Sequence, residues 1–269
     1  MDVRIKLGDE IANVLKNLKG VKAIAFYGAI ASGFADKYSD IDLMCLCDKA
    51  PSPNERKLFW EGFVDYIGAK GIVDVFRYKN ENFGVEFREI HRLNETIASI
   101  GKKGFIAKDD DSVVGWISGA KIVWDPKQVY ANLKQKLKKY EKKPKWLIKI
   151  LWNLLIDFDK ENWPEGSGIR QAILRKNYIW IGRLMQVYLD RFLVCLYDLN
   201  GKFYTDFKQK WAYKEINTFK YKPKNCVKKL EQIYLLGNDL GSARKKIKLF
   251  SELIKDTTPL IKRKYKLNF

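Results

Sequence analysis

Two short apolar runs flanking a glycine turn constrain this chain more than any other feature. The run "AIAFYG" stops at Gly28, and "DIDLMCLC" follows from Asp40 to Cys47. A strand that ends on glycine, a short helical turn through Gly33 and a second strand together describe the opening of a mixed α/β lobe. Side chains alternate faces along a strand, so Asp40 and Asp42 point one way and Ile41 and Leu43 the other. Two carboxylates roughly 6–7 Å apart along a strand suit one or two divalent ions. Mg²⁺ prefers such oxygen ligands and fills its other positions with water and substrate phosphates, and Mn²⁺ is the alternative. The bland reading of an Asp-x-Asp pair is a solvent-facing acidic edge.

The surrounding pattern extends the lobe. A helix is expected near residues 7–18. "SPNERKLFWEGFVDYIGAK" opens with a Ser52/Glu55 capping-box spacing and places Leu58, Phe59, Phe63 and Ile67 at helical intervals. "IVDVFRY" reads as a strand, "GVEFREI" as another strand or the opening of the helix that follows, "KIVWDP" as a strand ending at proline, and "QVYANLKQKLKKYEKK" as a basic helix. Asp109-Asp110-Asp111 reads as a loop. A two-metal site calls for a third carboxylate from a neighbouring strand. Asp74, within Val73-Asp74-Val75, is the first choice, and Glu86, within Val85-Glu86-Phe87, is the runner-up.

From Lys145 onward the pattern becomes helical. "WLIKILWNLLIDFDKENW" is interrupted by Pro164 and Gly166. One long segment runs from Gly168 to a turn at Asn200-Gly201, and two more helices are expected near 226–237 and 242–256. The expected fold is therefore an α/β N-terminal domain with a mixed sheet over residues 1–140, then an all-α domain over 145–269. "EKKPK" (Glu141–Lys145) serves as the linker.

The net charge of +19 falls unevenly. Residues 1–140 carry 23 Lys+Arg against 19 Asp+Glu, whereas 141–269 carry 28 against 13. A basic second half suggests an anionic partner such as nucleotide phosphates or a nucleic acid backbone; a solvated lysine-rich surface is the plain alternative. Four cysteines without a CxxC pair, and one histidine without a cysteine partner, argue against structural zinc or redox chemistry. No apolar run reaches a membrane span, and the opening residues lack the continuous apolar core of a signal peptide, so a cytoplasmic location is expected.

The turn between the strands has its own chemistry. Glycine lets a phosphate approach the backbone, and amides at a helix start bind anions. With Gly28-Ala29, Gly33 and then Ser39-Asp40-Ile41-Asp42-Leu43, residues 20–80 resemble the polymerase-β-like nucleotidyltransferase superfamily. A looser likeness to small-molecule enzymes of the lincosamide and kanamycin type extends over most of the chain. The resemblance implies an NTP co-substrate, metals held by Asp40, Asp42 and Asp74, and β- and γ-phosphates cradled at Gly28 and its neighbours. Asp74 would also help deprotonate an acceptor hydroxyl. Two departures stand out: Ala29 where the family usually has serine, and Ser32 where many members have arginine. Each loses a phosphate donor, at about 0.5–1.5 kcal/mol for a neutral hydrogen bond and 1.5–3 for a charge-assisted one. Ser32 and Ser39 are the hydroxyls placed to compensate.

Further candidates are Lys208 and Lys210 beside Trp211, for reaching phosphates from the second lobe, and Asp157, Asp159 or Glu161 as a base meeting the acceptor. The plain alternative for the lysines is a solvated helix face. Tyr178, Trp180 and Tyr188 read as core aromatics, and His91 as a histidine without a catalytic partner. The sequence thus points to transfer of NMP from an NTP to a hydroxyl on a small-molecule acceptor, with pyrophosphate released. A polycationic acceptor fits a basic lobe poorly. An RNA acceptor, or an antitoxin-like nucleotide-binding module on the same fold, are the alternatives.

Overall fold

A computed structural model describes residues 3–103, 108–140, 145–156, 169–204, 211–237 and 239–267. The chain divides into two compact units, Met1–Tyr140 and Glu141–Phe269. The first is a mixed sheet with helices, and the second is helical.

The N-terminal unit runs α1 (Val3–Leu15), β1 (Val21–Phe26), α2 (Gly28–Ser32), β2 (Ile41–Cys47), α3 (Pro53–Trp60) and β3 (Asp65–Lys70). It continues with β4 (Val73–Tyr78), β5 (Glu81–Glu89), α4 (Ile90–Lys103), α5 (Lys108–Gly119), β6 (Lys121–Trp124) and α6 (Val129–Lys138). The strands form one sheet in the order β3-β4-β5-β2-β1-β6. Strands β2 and β5 are parallel, and the other neighbours are antiparallel. Strands β4 and β5 form a hairpin through Lys79 and Asn80, both left-handed at φ 49° and 67°, as a tight two-residue turn requires.

One sheet face carries an apolar core from β1 to β5. Ile24 and Phe26 of β1, Leu43 and Cys45 of β2, and Val85 and Phe87 of β5 pack there against α1 through Leu7, Ile11 and Leu15. Trp60 and Phe76 close this core, their ring centroids 4.5 Å apart. The capping box is present: Ser52 Oγ accepts from the Glu55 amide at 3.3 Å, and Glu55 Oε2 accepts from the Ser52 amide at 2.7 Å.

Two local expectations change. The helix opened by Ser52 stops at Trp60, because Glu61 is extended and Gly62 is left-handed at φ 73°. Phe63 therefore lies in the turn and Ile67 on edge strand β3. Asp109-Asp110-Asp111 falls inside α5 rather than in a loop.

The C-terminal unit contains α7 (Lys145–Ile156), α8 (Ile169–Leu174), α9 (Tyr178–Leu199), α10 (Ala212–Thr218), α11 (Cys226–Leu235) and α12 (Leu240–Tyr265). The long segment expected up to Asn200 is two helices. Lys176 turns left-handed at φ 52°, and the Asn177 side chain then caps α9 by accepting from the Trp180 amide at 3.0 Å. Trp152, Phe192 and Phe250 centre this unit's core. Tyr188 is buried with them, whereas Tyr178 is exposed and Trp180 half-buried. All four cysteines are free and buried, as core thiols. Among the described residues, no helix is long and apolar enough to cross a membrane.

Candidate active site

Register decides which carboxylates meet. Asp42 lies opposite Gly84 across the parallel β2–β5 pair, and Met44 lies opposite Glu86. Paired residues share a sheet face, so Asp42, Gly84 and Glu86 all belong to the face away from the α1 core. The backbone of Tyr27 continues β1 toward β2, its amide donating to the Asp42 carbonyl at 3.1 Å. That places Tyr27 on the same face.

The Asp42 carboxylate sits between two glycines. A Cβ at Gly28 would stand 2.7 Å from Asp42 Oδ2, and one at Gly84 would stand 2.9 Å from Oδ1. Gly28 is also left-handed, at φ 64°, as the chain leaves β1 and enters α2. Neither position leaves room for a side chain beside this carboxylate. Here the glycine turn of the sequence acts on the second aspartate directly.

Tyr27 gathers the acidic groups. Its ring is buried against Trp116, centroids 5.3 Å apart. Its hydroxyl is held protonated by burial first, then by the charges of Asp42 and Glu86, a hydrogen bond to Glu86, and the charge of Asp40. Glu86 is almost wholly buried, and its carboxylate also accepts from Arg88 two residues along the same strand and face. Asp40 precedes β2, half-buried. Asp40, Asp42 and Glu86 thus all bear electrostatically on one tyrosine, with Arg88 as counter-ion to Glu86.

Asp74, expected beside the paired aspartates, stands elsewhere. Strand β4 pairs with β5 and not with β2, and Asp74 lies opposite Val85, on the apolar face. There its buried carboxylate accepts from Arg56 Nε and Trp60 Nε1, both at 2.9 Å, and from the Tyr66 hydroxyl at 3.3 Å. Burial lifts its pKa above the ordinary aspartate value, although Trp60, Arg56 and Tyr66 pull it down. Arg56 is itself buried and donates to the carbonyls of Pro51 and Gly71. Asp74 therefore anchors α3 and β3 to the sheet, and Glu86 is the carboxylate that shares a face with Asp42.

The remaining expected phosphate ligands are engaged locally. Ala29 is buried. Ser32 Oγ donates to the Ala29 carbonyl at 3.0 Å, inside α2. Ser39 Oγ donates to Asp36 Oδ1 at 3.1 Å and accepts from the Asp36 amide at 3.0 Å, closing the loop that delivers Asp40. Gly33 ends α2 in the left-handed region, at φ 76°. Lys121 of β6, which no motif had singled out, donates to the Ile30 carbonyl at 3.2 Å and secures α2 from the other side. Lys208, Lys210, Asp157, Asp159, Glu161 and the linker residues Glu141–Pro144 lie outside the described residues. His91 is exposed, 3.7 Å from Glu89.

The donor set is all oxygen, which suits a hard cation. Among the described residues, no three of His, Cys, Asp and Glu are gathered closely enough to hold a metal ion as they stand. Mg²⁺ sites commonly use one or two carboxylates and leave the rest to water and phosphate. Asp40 with Asp42, wedged in its glycine cradle, fits that pattern, while Arg88 occupies Glu86.

Residues 9–99 match a family model described as "Nucleotidyltransferase domain". The match spans Asp40, Asp42, Asp74 and Glu86. Among solved structures, the chain is similar to a nucleotidyltransferase-like protein from Exiguobacterium sibiricum 255-15. That similarity has a TM-score of 0.41 and 11% identity, over 97% of this chain and 78% of the other. No curated protein matches.

Proposed function

We propose that this chain is a metal-dependent nucleotidyltransferase, moving the NMP group of an NTP to a hydroxyl acceptor and releasing pyrophosphate. The observation that carries the reading is the Asp42 carboxylate cradled by Gly28 and Gly84, with Tyr27 on the same face under the charges of Asp42, Glu86 and Asp40. The family match over residues 9–99 supports the same chemistry.

In this reading Asp40 and Asp42 hold the ion, and Glu86, the runner-up to Asp74, lies on the same face as Asp42 with Arg88 as its counter-ion. When bound, Mg²⁺ neutralises phosphate charge and lowers the pKa of the acceptor hydroxyl. Gly28 and the first amides of α2 receive the β- and γ-phosphates, since helix-start amides lack partners within the helix. Tyr27 keeps its proton and donates it as a hydrogen bond, fixing the Glu86 carboxylate. Catalysis is then positioning and electrostatics, without a covalent enzyme intermediate. A small-molecule acceptor is favoured. The basic second half keeps an RNA acceptor as the competing substrate class.

A second reading has its own support. Ala29 offers no hydroxyl, those of Ser32 and Ser39 are already engaged, and Arg88 occupies Glu86. These features suit a nucleotide-binding module that has lost turnover. Calorimetry with each NTP plus Mg²⁺, followed by pyrophosphate release over a panel of hydroxyl acceptors, separates the two. Binding with release supports the enzyme; binding without release supports the module; no heat with any NTP removes both.

A further inference from the structure

The helical unit contains a cavity of about 760 Å³ between the end of α7 and the middle of α12, for which the proposed reaction has no use. Its wall follows from rows on α12. Ile247, Ile254 and Ile261 recur every seven residues, as do Lys248, Lys255 and Lys262. Seven residues are close to two helical turns, so each row runs nearly along the axis. The apolar row packs toward α7, and Leu155 and Ile156 complete the apolar side of the cavity.

The hydroxyl row between them divides. Thr258 is satisfied, accepting from Trp152 Nε1 at 3.3 Å and donating to the Ile254 carbonyl at 2.7 Å, which ties α7 to α12. The Ser251 hydroxyl is buried and has no hydrogen-bond partner. A buried polar group left unpaired calls for an explanation. Lys248 and Lys255 lie three residues before and four after Ser251, the spacing at which helix side chains are neighbours. Neither lysine is ion-paired among the described residues. Glu252, the one carboxylate of the wall, shares Lys229 of α11 with Asp256, each at 3.1 Å, and stands against Arg244, Lys248, Lys255 and Lys262 of the same wall. The wall is thus positive around an unsatisfied hydroxyl and apolar beside it.

The geometry points to a binding site for a small anionic amphiphile. A phosphate or carboxylate head is taken by Lys248, Ser251 and Lys255, and an apolar body lies against Leu155, Ile156 and Ile247. A volume within the usual 300–1,000 Å³ of small-molecule sites favours this occupant over nucleic acid. So does the wall's lack, among the described residues, of any aromatic platform on which bases would stack.

Titration of the full chain with decyl phosphate and with decanoate, each below its critical micelle concentration, tests the site. Decanol, inorganic phosphate and a short single-stranded RNA are the controls. Saturable binding of either amphiphile is expected, with decanol and inorganic phosphate each weaker by at least about tenfold. Tighter binding of decyl phosphate than decanoate identifies a phosphate head, and the reverse a carboxylate. The exposed pair Lys248→Glu/Lys255→Glu should weaken binding by at least about tenfold, and Ser251→Ala by about two- to tenfold, with circular dichroism unchanged. Three results overturn the proposal: no saturable binding, equal binding by the lysine double variant, or inorganic phosphate binding as tightly as decyl phosphate. RNA binding that the double variant abolishes, without amphiphile binding, overturns it in favour of nucleic acid.

Discussion

Asp42 and Asp74 stand two strands apart on opposite faces of one sheet, with β5 between them. In sequence they look alike, each an aspartate between apolar residues on a strand. In the fold they have different tasks. Asp42 shares a face with Tyr27 and Glu86, while Asp74 is the acceptor for Arg56, Trp60 and Tyr66 in the apolar core.

That separation predicts opposite phenotypes. Asp74→Ala leaves the Arg56 guanidinium buried without its carboxylate, which typically costs about 3–5 kcal/mol. Asp42→Asn keeps the side chain's size between Gly28 and Gly84 and changes only its charge, so the fold should tolerate it far better than Asp74→Ala. Turnover should fall by about 10²–10³-fold, the scale of one preorganised electrostatic group. Urea denaturation of both variants, beside pyrophosphate release, checks the split. A stable Asp74→Ala variant with abolished chemistry would restore Asp74 to the site.

The cap of α12 gives a pH prediction. Asp239 accepts from the amides of Gly241 and Ser242 at 2.9 and 3.1 Å, and hydrogen bonds with Ser242 hold its pKa below the ordinary aspartate value. With a depressed folded pKa, the native state binds fewer protons than the unfolded state. Its contribution is therefore full above an unfolded pKa of about 3.9 and fades as pH falls through the folded value. Asp239→Ala should lower the Tm at pH 7, by an amount that shrinks toward pH 2. Asp239→Ser keeps an uncharged cap and should show a difference from Ala that does not vary with pH. Thermal melts of the three proteins across that range decide it.

The thiols should be silent in the folded protein. All four are buried, and burial pushes those of Cys47 and Cys226 up to about 12. The thiolate is the reactive form, so Ellman's reagent should label none of the four until the chain unfolds. One thiol reacting at once under native conditions would contradict the packing around it.

Much of this fold was legible because strand alternation and caps are local. Spacing picks out Asp40, Asp42 and the turn at Gly28 as candidates, the family resemblance gives them a role, and the Ser52/Glu55 box is present. Choosing between Asp74 and Glu86 needed strand order, a long-range property. Both triplets have the same pattern, and nothing local says that β5 rather than β4 lies beside β2. Tyr27 was hidden for a related reason. It continues an apolar run, and only pairing with β2 shows that its hydroxyl reaches Glu86. The helix breaks at Gly62 and Lys176 were missed because apolar periodicity persists across each turn.

Gly84 was read only as the first residue of a strand, and it supplies the sharpest test of the candidate site. Its backbone accepts an ordinary side chain, since only a contact opposes one: a Cβ would meet Asp42 Oδ1 at 2.9 Å. Gly84→Ala should therefore fold, with a cost inside the roughly 1–3 kcal/mol of modest overpacking. It should still displace the Asp42 carboxylate from its cradle. Since a misplacement of about 1 Å near the chemistry can cost about a hundredfold, turnover should drop by a factor between ten and a hundred. Stabilisation of the protein by Mg²⁺ plus NTP should weaken in parallel, measured as the shift in Tm on adding both. A folded Gly84→Ala protein with undiminished turnover and Mg²⁺ response would mean that the Asp42 carboxylate is not where the ion is held.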